Sequence, residues 1–388
     1  MGVTDWRRRV MLTLQSMREF KPRIDEVVER YRCFWNVEKT DRPPAHLYNP
    51  VLKGWRKRLP DGWPMKWAGF PGGSKPWERL VNYHIRMFWE DRVVEDDRIP
   101  YVLPYFGPPA IAALLSPILC DLRFSGGTGW AKPLMDTWDE AEDLHFDPEN
   151  KWVRKLVKLT DFLITRSRGR FAVSLTDTHC TGDVMAALRG TEKLIVDFYR
   201  NPDEAKKFAA TCTRGVIDIL EFFLERIPRI AEGTVLEPFG IWAPGEKSCV
   251  LMEDVAANLS PEMYREFLLP YDNQIAERMD SAAFHVDGGL QIVPELLKIR
   301  KLGVVQVTNN PKWKSIIDAP EPGIEHLKKA RSMGKALMVS CGNLGEARKV
   351  LNLFGPEGLC FHPLKTRSVE EGNRNLEKLT QLIKNKYT

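Results

Sequence analysis

The chain has 388 residues, 43% hydrophobic and 28% charged, enough for one large domain or two ordinary domains with a sizeable core. Its net charge of +5 comes from Lys and Arg that alternate with Asp and Glu, which does not indicate a nucleic-acid-binding surface. No apolar run approaches the roughly 18 to 20 residues that span a bilayer, and seven scattered cysteines without a CxxC pair argue against a disulfide framework. We therefore expect a globular cytoplasmic protein that binds neither membranes nor nucleic acid.

The amino-terminal part has the amphipathic pattern of helices, and we expect residues 1–40 to form a helical extension before a single domain over 41–388. The segment from about 50 to 100 is rich in Trp, Pro and Gly, which predicts an excursion over one mouth of that domain. A basic cluster at residues 53–58 is better explained by a solvated helix face than by a phosphate or nucleic-acid site.

Short apolar, β-branched runs recur along the chain, and helical stretches separate them. Each run ends in polar residues or in Gly and Pro. The runs are 45–49, 101–106, 171–177, 234–242, 282–287, 303–309, 336–341 and 358–363. Eight strands that alternate with helices predict a parallel sheet with crossover helices, and the count favours a closed (β/α)8 TIM barrel.

Two helices have clear start signals. Asn201-Pro202 and Ser260-Pro261 each offer a capping side chain, a proline in the first turn and acidic residues directly after it. The sequence therefore predicts that helices begin at these positions.

Polar and aromatic residues follow the strand runs, where the active site of a barrel lies, because the loops after the strands converge there. The residues expected to be catalytic are Asp177, His179, His285 and Asp287. The residues expected to contact substrate are Tyr48, Asn49, Trp130, Trp242, Asn309 and Asn343. The two tryptophans are interpreted as walls for a small apolar or methylated substrate.

The segment Ala283–Gly289 gives the strongest single signal. Residues i and i+2 of a strand point the same way, so His285 and Asp287 can address one point near the mouth. An imidazole and a carboxylate can bind zinc or position a proton there. The alternative is a structural His–carbonyl hydrogen bond and an Asp that caps the next helix.

Several segments, in order and spacing, resemble the uroporphyrinogen decarboxylase superfamily over about residues 35–385. The matching segments are Lys39–Pro44, Leu188–Glu192, Leu259–Tyr264, His285–Gly288 and Cys341–Asn343. The resemblance implies a TIM barrel, and because dimers are common in that superfamily it is compatible with a homodimer. The Arg-rich amino-terminal signature of the porphyrin enzyme is absent, so uroporphyrinogen itself is not the expected substrate.

The resemblance is instead to the branch of zinc methyltransferases that act with corrinoid proteins. Those enzymes bind zinc through a His-x-Cys pair and a later Cys. Carried over, His285 matches the His, Cys360 the last Cys, and Asp287 stands in place of the second thiolate. Cys341 or His362 could substitute as a ligand. This chain has no Asp-x-His-x-x-Gly segment for cobalamin, so a separate corrinoid protein would carry that cofactor.

The expected activity is transfer of a methyl group between a small methylated or methoxylated compound and a corrinoid protein, with or without zinc. A second hypothesis is a metal-free decarboxylase or lyase for a small carboxylate, which would need cations such as Arg189 or Lys365 at the mouth. A third is a barrel that binds a ligand without catalysis.

Overall fold

The computed structural model describes residues 13–48, 74–125, 128–142, 144–308, 313 and 315–387. Asn49, Asn309 and the basic cluster at 53–58 lie outside these residues. In the described part, fourteen α-helices and twelve strands alternate over most of the chain.

The strands are β1 (Ala45–Tyr48), β2 (Tyr101–Val102), β3 (Cys120–Ser125), β4 (Thr128–Pro133), β5 (Ala172–Val173), β6 (Gly233–Leu236), β7 (Ile241–Pro244), β8 (Ser248–Met252), β9 (Ser281–Asp287), β10 (Leu302–Thr308), β11 (Ala336–Cys341) and β12 (Leu359–Lys365). The helices are α1 (Leu14–Met17), α2 (Ile24–Asn36), α3 (Ser74–Asp91), α4 (Ala110–Leu115), α5 (Lys151–Ser167), α6 (Thr181–Arg189), α7 (Thr191–Arg200), α8 (Pro202–Leu224), α9 (Pro261–Phe267), α10 (Leu269–Glu277), α11 (Val293–Leu296), α12 (Glu321–Ser332), α13 (Leu344–Phe354) and α14 (Val369–Lys386). None of these helices combines the length and the apolar composition that crossing a lipid bilayer requires.

The central sheet has six parallel strands in the order β1-β12-β11-β10-β9-β8. Strands β2 and β5 form a separate parallel pair. The segments that flank this pair, before β2 and after β5, hydrogen-bond to the two edge strands of the sheet: Asp97 N donates to Ala45 O (2.8 Å) and Cys180 N donates to Met252 O (2.9 Å). The predicted parallel α/β architecture is confirmed.

The fourth predicted strand is wrong. Residues 234–242 do not form one strand but bend into the antiparallel hairpin β6–β7. The turn between them contains Pro238 and ends at Gly240, whose φ of +67° strongly favours glycine. Strand β8, which was not among the predicted strands, takes the parallel position beside β9.

The two faces of the sheet are buried against different partners, because side chains alternate along each strand. On β9, Phe284 and Val286 face the surrounding helices, in a core shared with α8, α13 and α14. Ala283 lies on the other face, in a second cluster with residues of β8, β10, β11 and β12, the β6–β7 hairpin and α2. His285 and Asp287 share the face of Ala283.

Helix α2 packs under the amino-terminal ends of the strands. Tyr31 donates a hydrogen bond to the carbonyl of Asp97 (2.9 Å), and Trp35 Nε1 donates to the carbonyl of Trp242 (2.8 Å). Of the predicted excursion over the mouth, residues 49–73 lie outside the described chain. Helix α3, which follows them, packs instead on α5 through Trp77 and Phe162.

Candidate functional site

Ionisable side chains gather where β5, β8 and β9 end. Asp177 and His179 follow β5, and Asp254 lies two residues after Met252, the end of β8. Met252 pairs in register with His285 of β9, so Asp254 and Asp287 project from the same edge of the sheet. The carboxyl ends of parallel strands meet at one edge, and loops from distant parts of the chain thus form one cluster.

His179 is held by a carboxylate that cannot easily move. Its Nδ1 donates to Asp183 Oδ2 at 2.5 Å. The same carboxylate accepts the backbone N–H groups of Asp254 (2.9 Å, to Oδ2) and Val255 (2.8 Å, to Oδ1). The other ring nitrogen, Nε2, lies 3.9 Å from Asp177 Oδ1. Asp183 therefore fixes the orientation of the imidazole and leaves Nε2 to act on a neighbouring group.

The charged form of His179 is favoured at neutral pH. Burial opposes the imidazolium, but the hydrogen bond to Asp183 and the charges of Asp183 and Asp177 outweigh it and raise the pKa of His179 to about 9. Burial also raises the pKa values of Asp177 and Asp254, which the nearby imidazolium opposes. The pair His179–Asp183 is thus a proton donor poised at the edge of the sheet.

Glu253, directly after β8, fixes the position of the first turn of α6, which carries Asp183. Its two carboxyl oxygens accept the N–H groups of Gly182 (2.8 Å) and Asp183 (2.9 Å) in the first turn of α6. Since Asp183 caps the short helix that starts at Asp254, the two loops cap each other. Burial and the neighbouring Asp272 raise the pKa of Glu253. Asp272 is itself held in place by Tyr264, whose O–H donates to it at 2.6 Å.

Gly182→Ala is expected to destabilise the fold by about 1–3 kcal/mol, because overpacking a filled site forces its neighbours apart. A Cβ on Gly182 would lie 2.7 Å from Glu253 Oε2 and 2.8–2.9 Å from side-chain carbons of Val255 and Leu268. Urea unfolding of the two proteins measures the difference. The control is Gly289→Ala, where the nearest atom, on Ala257, is 3.5 Å away. Equal losses in the two variants would contradict the close packing.

The cluster opens into a cleft of about 370 Å³. His179, Asp183 and Asp254 form one wall, with Val255 beside them. Facing residues come from the β3–β4 hairpin, including Trp130, which is 57% exposed. A volume of this size suits a small organic molecule.

His179, Asp183 and Asp254 could together hold a cation, since one ligand atom from each lies within 4.8 Å of the others. Among the residues that the structure describes, this is the sole group of three or more His, Cys, Asp or Glu side chains that meets that distance. Binding through His179 Nδ1 would break its hydrogen bond to Asp183. The imidazolium proton already supplies a positive charge at this position.

The structure does not assemble the predicted zinc ligands His285, Asp287 and Cys360. Strands β10 and β11 separate His285 from Cys360, about 14 Å along the sheet at the usual strand spacing. The Nδ1 of His285 instead donates to Gln306 Oε1. Cys360 is fully buried in the cluster with Met338, and burial raises its thiol pKa far above the usual value, which disfavours the thiolate that zinc requires.

The two substitute ligands do not complete a zinc site either. Cys341 faces the helices and not the inner face of the sheet, and burial raises its pKa to about 12. His362 packs against His46 and donates from Nε2 to the carbonyl of Phe239 (3.1 Å). The Phe239 ring contacts both His362 and His285, with ring centroids 5.4 and 5.8 Å apart, so the β6–β7 turn lies between the two histidines.

Of the described residues predicted to contact substrate, the structure places only Trp130 in the cleft. Trp242 is buried, donates to the carbonyl of Ile230 and packs near α2 at the other end of the strands, so it is no cleft wall. Asn343 caps α13 by accepting the N–H of Glu346 (3.0 Å). Tyr48 is 40% exposed at the end of β1 and does not line this cleft.

Three residues of the cluster were missed from the sequence: Asp183, Glu253 and Asp254. A His and an Asp four residues apart at a helix start share one face, and that spacing could have indicated Asp183. Glu253 and Asp254 directly follow β8, and they were overlooked because β8 itself was not recognised.

Comparison of the sequence with protein-family models and with curated proteins gives no match in either set.

Proposed function

We propose that the chain is a closed (β/α)8-barrel methyltransferase that demethylates a small donor at the mouth of the barrel and passes the methyl group to a corrinoid protein. Support for closure comes from the six-stranded parallel sheet, from the separate parallel pair β2–β5, and from hydrogen bonds between the segments that flank this pair and the edge strands β1 and β8. Support for methyl transfer comes from the resemblance of the segments around His285 and Pro261 to that superfamily.

One observation carries the proposed chemistry: His179 lines the cleft, Asp183 holds its Nδ1, and its Nε2 lies 3.9 Å from Asp177 Oδ1. A heteroatom that loses a methyl group gains an electron pair and needs a proton. His179, with a pKa of about 9, donates that proton from Nε2 as a general acid, and Asp183 keeps the ring in place. General acids of this kind contribute roughly 10²- to 10⁴-fold to a rate.

The corrinoid would supply the nucleophile that accepts the methyl group, and a separate protein would carry it to the mouth. Zinc does not fit the residues predicted to hold it, because Cys360 is buried away from Asp287 and His285 is bonded to Gln306. The proposal therefore uses no step through zinc. What this chain provides is a cleft and an oriented acid.

The structure gives less support to the two alternatives. A decarboxylase for a small carboxylate needs cations at its mouth, but Arg189 is paired with Asp197 at 2.9 Å, and neither it nor Lys365 lines the cleft. A purely binding barrel has no need of an imidazolium fixed by a buried carboxylate. Perturbed pKa values in a cleft are typical of catalytic sites.

The proposed function is tested by incubating the protein with a reduced corrinoid protein and a panel of methoxylated and methylated small molecules. Methylation of the corrinoid, followed by its visible absorbance, is expected with at least one donor. Release of CO₂ from a small carboxylate, without methylation of any corrinoid, would support the decarboxylase instead.

A further inference from the structure

The cleft has a charge opposite to that of the chain. The protein carries a net charge of +5, yet the ionisable side chains among the described lining residues are one imidazolium, His179, and two carboxylates, Asp183 and Asp254; Asp177 lies beside His179 and Asp287 near Asp254. Asp177 and Asp254 both interact electrostatically with His179 and, more weakly, with His285, and Asp254 also with Asp287. Even with the charge of His179 included, acids outnumber cations at this site. The overall composition does not account for this excess of acids.

Basic side chains near the cleft are turned to other partners. No Lys or Arg is among the described residues that line it. Arg189, in the helix that forms one wall, donates to Asp197 and to the carbonyl of Asp136. Lys193 pairs with Asp136 at 2.8 Å. Among the described lining residues an anionic substrate would therefore meet two carboxylates and a single cation, the imidazolium of His179, which is already paired with Asp183; this disfavours its binding.

Most of the remaining lining is apolar or aromatic, with Thr191 and Asn258 as its polar side chains. Pro108, Pro109, Ala131 and Pro133 surround Trp130, whose ring is more than half exposed. The glycines at 107 and 129 hold the hairpin close to the strand end, because a Cβ on Gly107 would lie 2.3 Å from the backbone of Gly129. An indole ring and carboxylates facing an apolar cleft are the features that bind alkylated ammonium ions.

We propose that the methyl donor is a methylated amine that binds as its cation between Trp130 and the carboxylates of Asp254 and Asp183. This inference rests on the proposed methyl transfer and names its substrate class. The carbon–nitrogen bond breaks, the methyl carbon bonds to the nucleophile on the corrinoid partner, and the electron pair stays on nitrogen. His179 Nε2 delivers its proton to that electron pair as it develops, so the product leaves as an ammonium ion and the neutral imidazole is reprotonated from solvent.

His179 suits nitrogen in this step. The pKa of His179, about 9, lies close to that of an alkylammonium ion, so the proton can pass to the freed amine, and protonation prevents that amine from taking the methyl group back. The carboxylates stabilise the donor ammonium ion before the transfer and the product ammonium ion after it, so the same charges bind donor and product.

The experiment compares the binding of three probes of similar shape to the intact protein by calorimetry, without any corrinoid. The probes are choline, its neutral carbon analogue 3,3-dimethyl-1-butanol, and the anion 3,3-dimethylbutanoate. Choline is expected to bind roughly tenfold more tightly than the neutral analogue, the range that a cation over an indole ring provides. The anion is expected to bind most weakly.

Two variants locate the site. Asp254→Asn is expected to weaken choline binding several-fold and to leave 3,3-dimethyl-1-butanol unchanged, because only the charge is lost. Trp130→Leu is expected to weaken choline more than the neutral analogue. Asp121→Asn, an exposed aspartate on β3, makes the same change in net charge and is the control. Equal affinity for choline and its neutral analogue, or tighter binding of the anion, would overturn the proposal.

The two proposals can fail separately. Selective binding of choline without methylation of a corrinoid by any donor would retain the cationic site and reject methyl transfer. Methylation from a neutral methoxy donor, with no preference for ammonium ions in binding, would retain methyl transfer and reject the amine.

Discussion

His179→Ala is expected to lower the rate of methyl transfer by about 10²- to 10⁴-fold, with a much smaller change in KM. The imidazolium acts on the departing heteroatom, so its loss affects the transition state more than the bound donor. The measurement is the initial rate of corrinoid methylation at saturating donor. Because His179 is buried and bonded to Asp183, the fold of the variant is checked by urea unfolding.

Two other histidines serve as comparisons. His326 of α12 donates to the carbonyl of Leu290 (3.0 Å) and does not line the cleft, so His326→Ala is expected to retain activity. His285→Ala removes the histidine that the sequence made most prominent, and its bond to Gln306 suggests a smaller loss than for His179. A full loss in His285→Ala with normal activity in His179→Ala would reverse the assignment of the acid.

Asp183→Asn is expected to move the alkaline limb of the pH–rate profile from about pH 9 to lower pH. A general acid works while it is protonated, so activity should fall as pH rises through the pKa of His179. Replacing Asp183 removes the charged hydrogen-bond partner that raises this pKa, while burial, which lowers it, remains. The profile of kcat/KM in the free enzyme reports the change.

The same shift has a consequence for stability. The folded-state pKa of His179 lies above its usual value of about 6.5, so the imidazolium contributes stability that is complete below about pH 6.5 and is lost as pH rises towards about 9. Unfolding by urea at pH 6 and at pH 9 should show this decline, and Asp183→Asn should reduce it. If the alkaline limb of the pH–rate profile stays near pH 9 in Asp183→Asn, a group other than His179 sets that limb.

Long apolar runs with β-branched residues predicted the parallel strands well. The predicted runs 282–287, 303–309 and 336–341 match β9, β10 and β11 to within a residue or two at each end. Both predicted helix starts hold, since Pro202 begins α8 and Pro261 begins α9, but only one predicted cap does: Ser260 accepts the N–H of Met263, whereas the side chain of Asn201 donates to Asp197 and makes no capping bond. Both signals are local, because a capping side chain or an alternating pattern acts within a few residues.

The prediction of strands from apolar runs was wrong at the hairpin over residues 233–244. Its residues are apolar enough for a central strand, and only the turn at Pro238 and Gly240 breaks the run. The sequence identified four polar residues at strand ends, 177, 179, 285 and 287. The strand pattern alone does not tell which of their side chains contact one another or which other residues they contact.

The sequence by itself determined that this chain builds a parallel α/β sheet, and that histidines and aspartates stand where its strands end. Only the tertiary structure decided that His179 belongs with Asp183 and Asp254, and that Cys360 is enclosed among apolar side chains. The physical reason is that strand pairing brings residues about 70 positions apart, such as Asp183 and Asp254, within hydrogen-bond distance. Conversely, residues on one face of the same sheet can be separated by an inserted turn, as the β6–β7 turn separates His285 from His362.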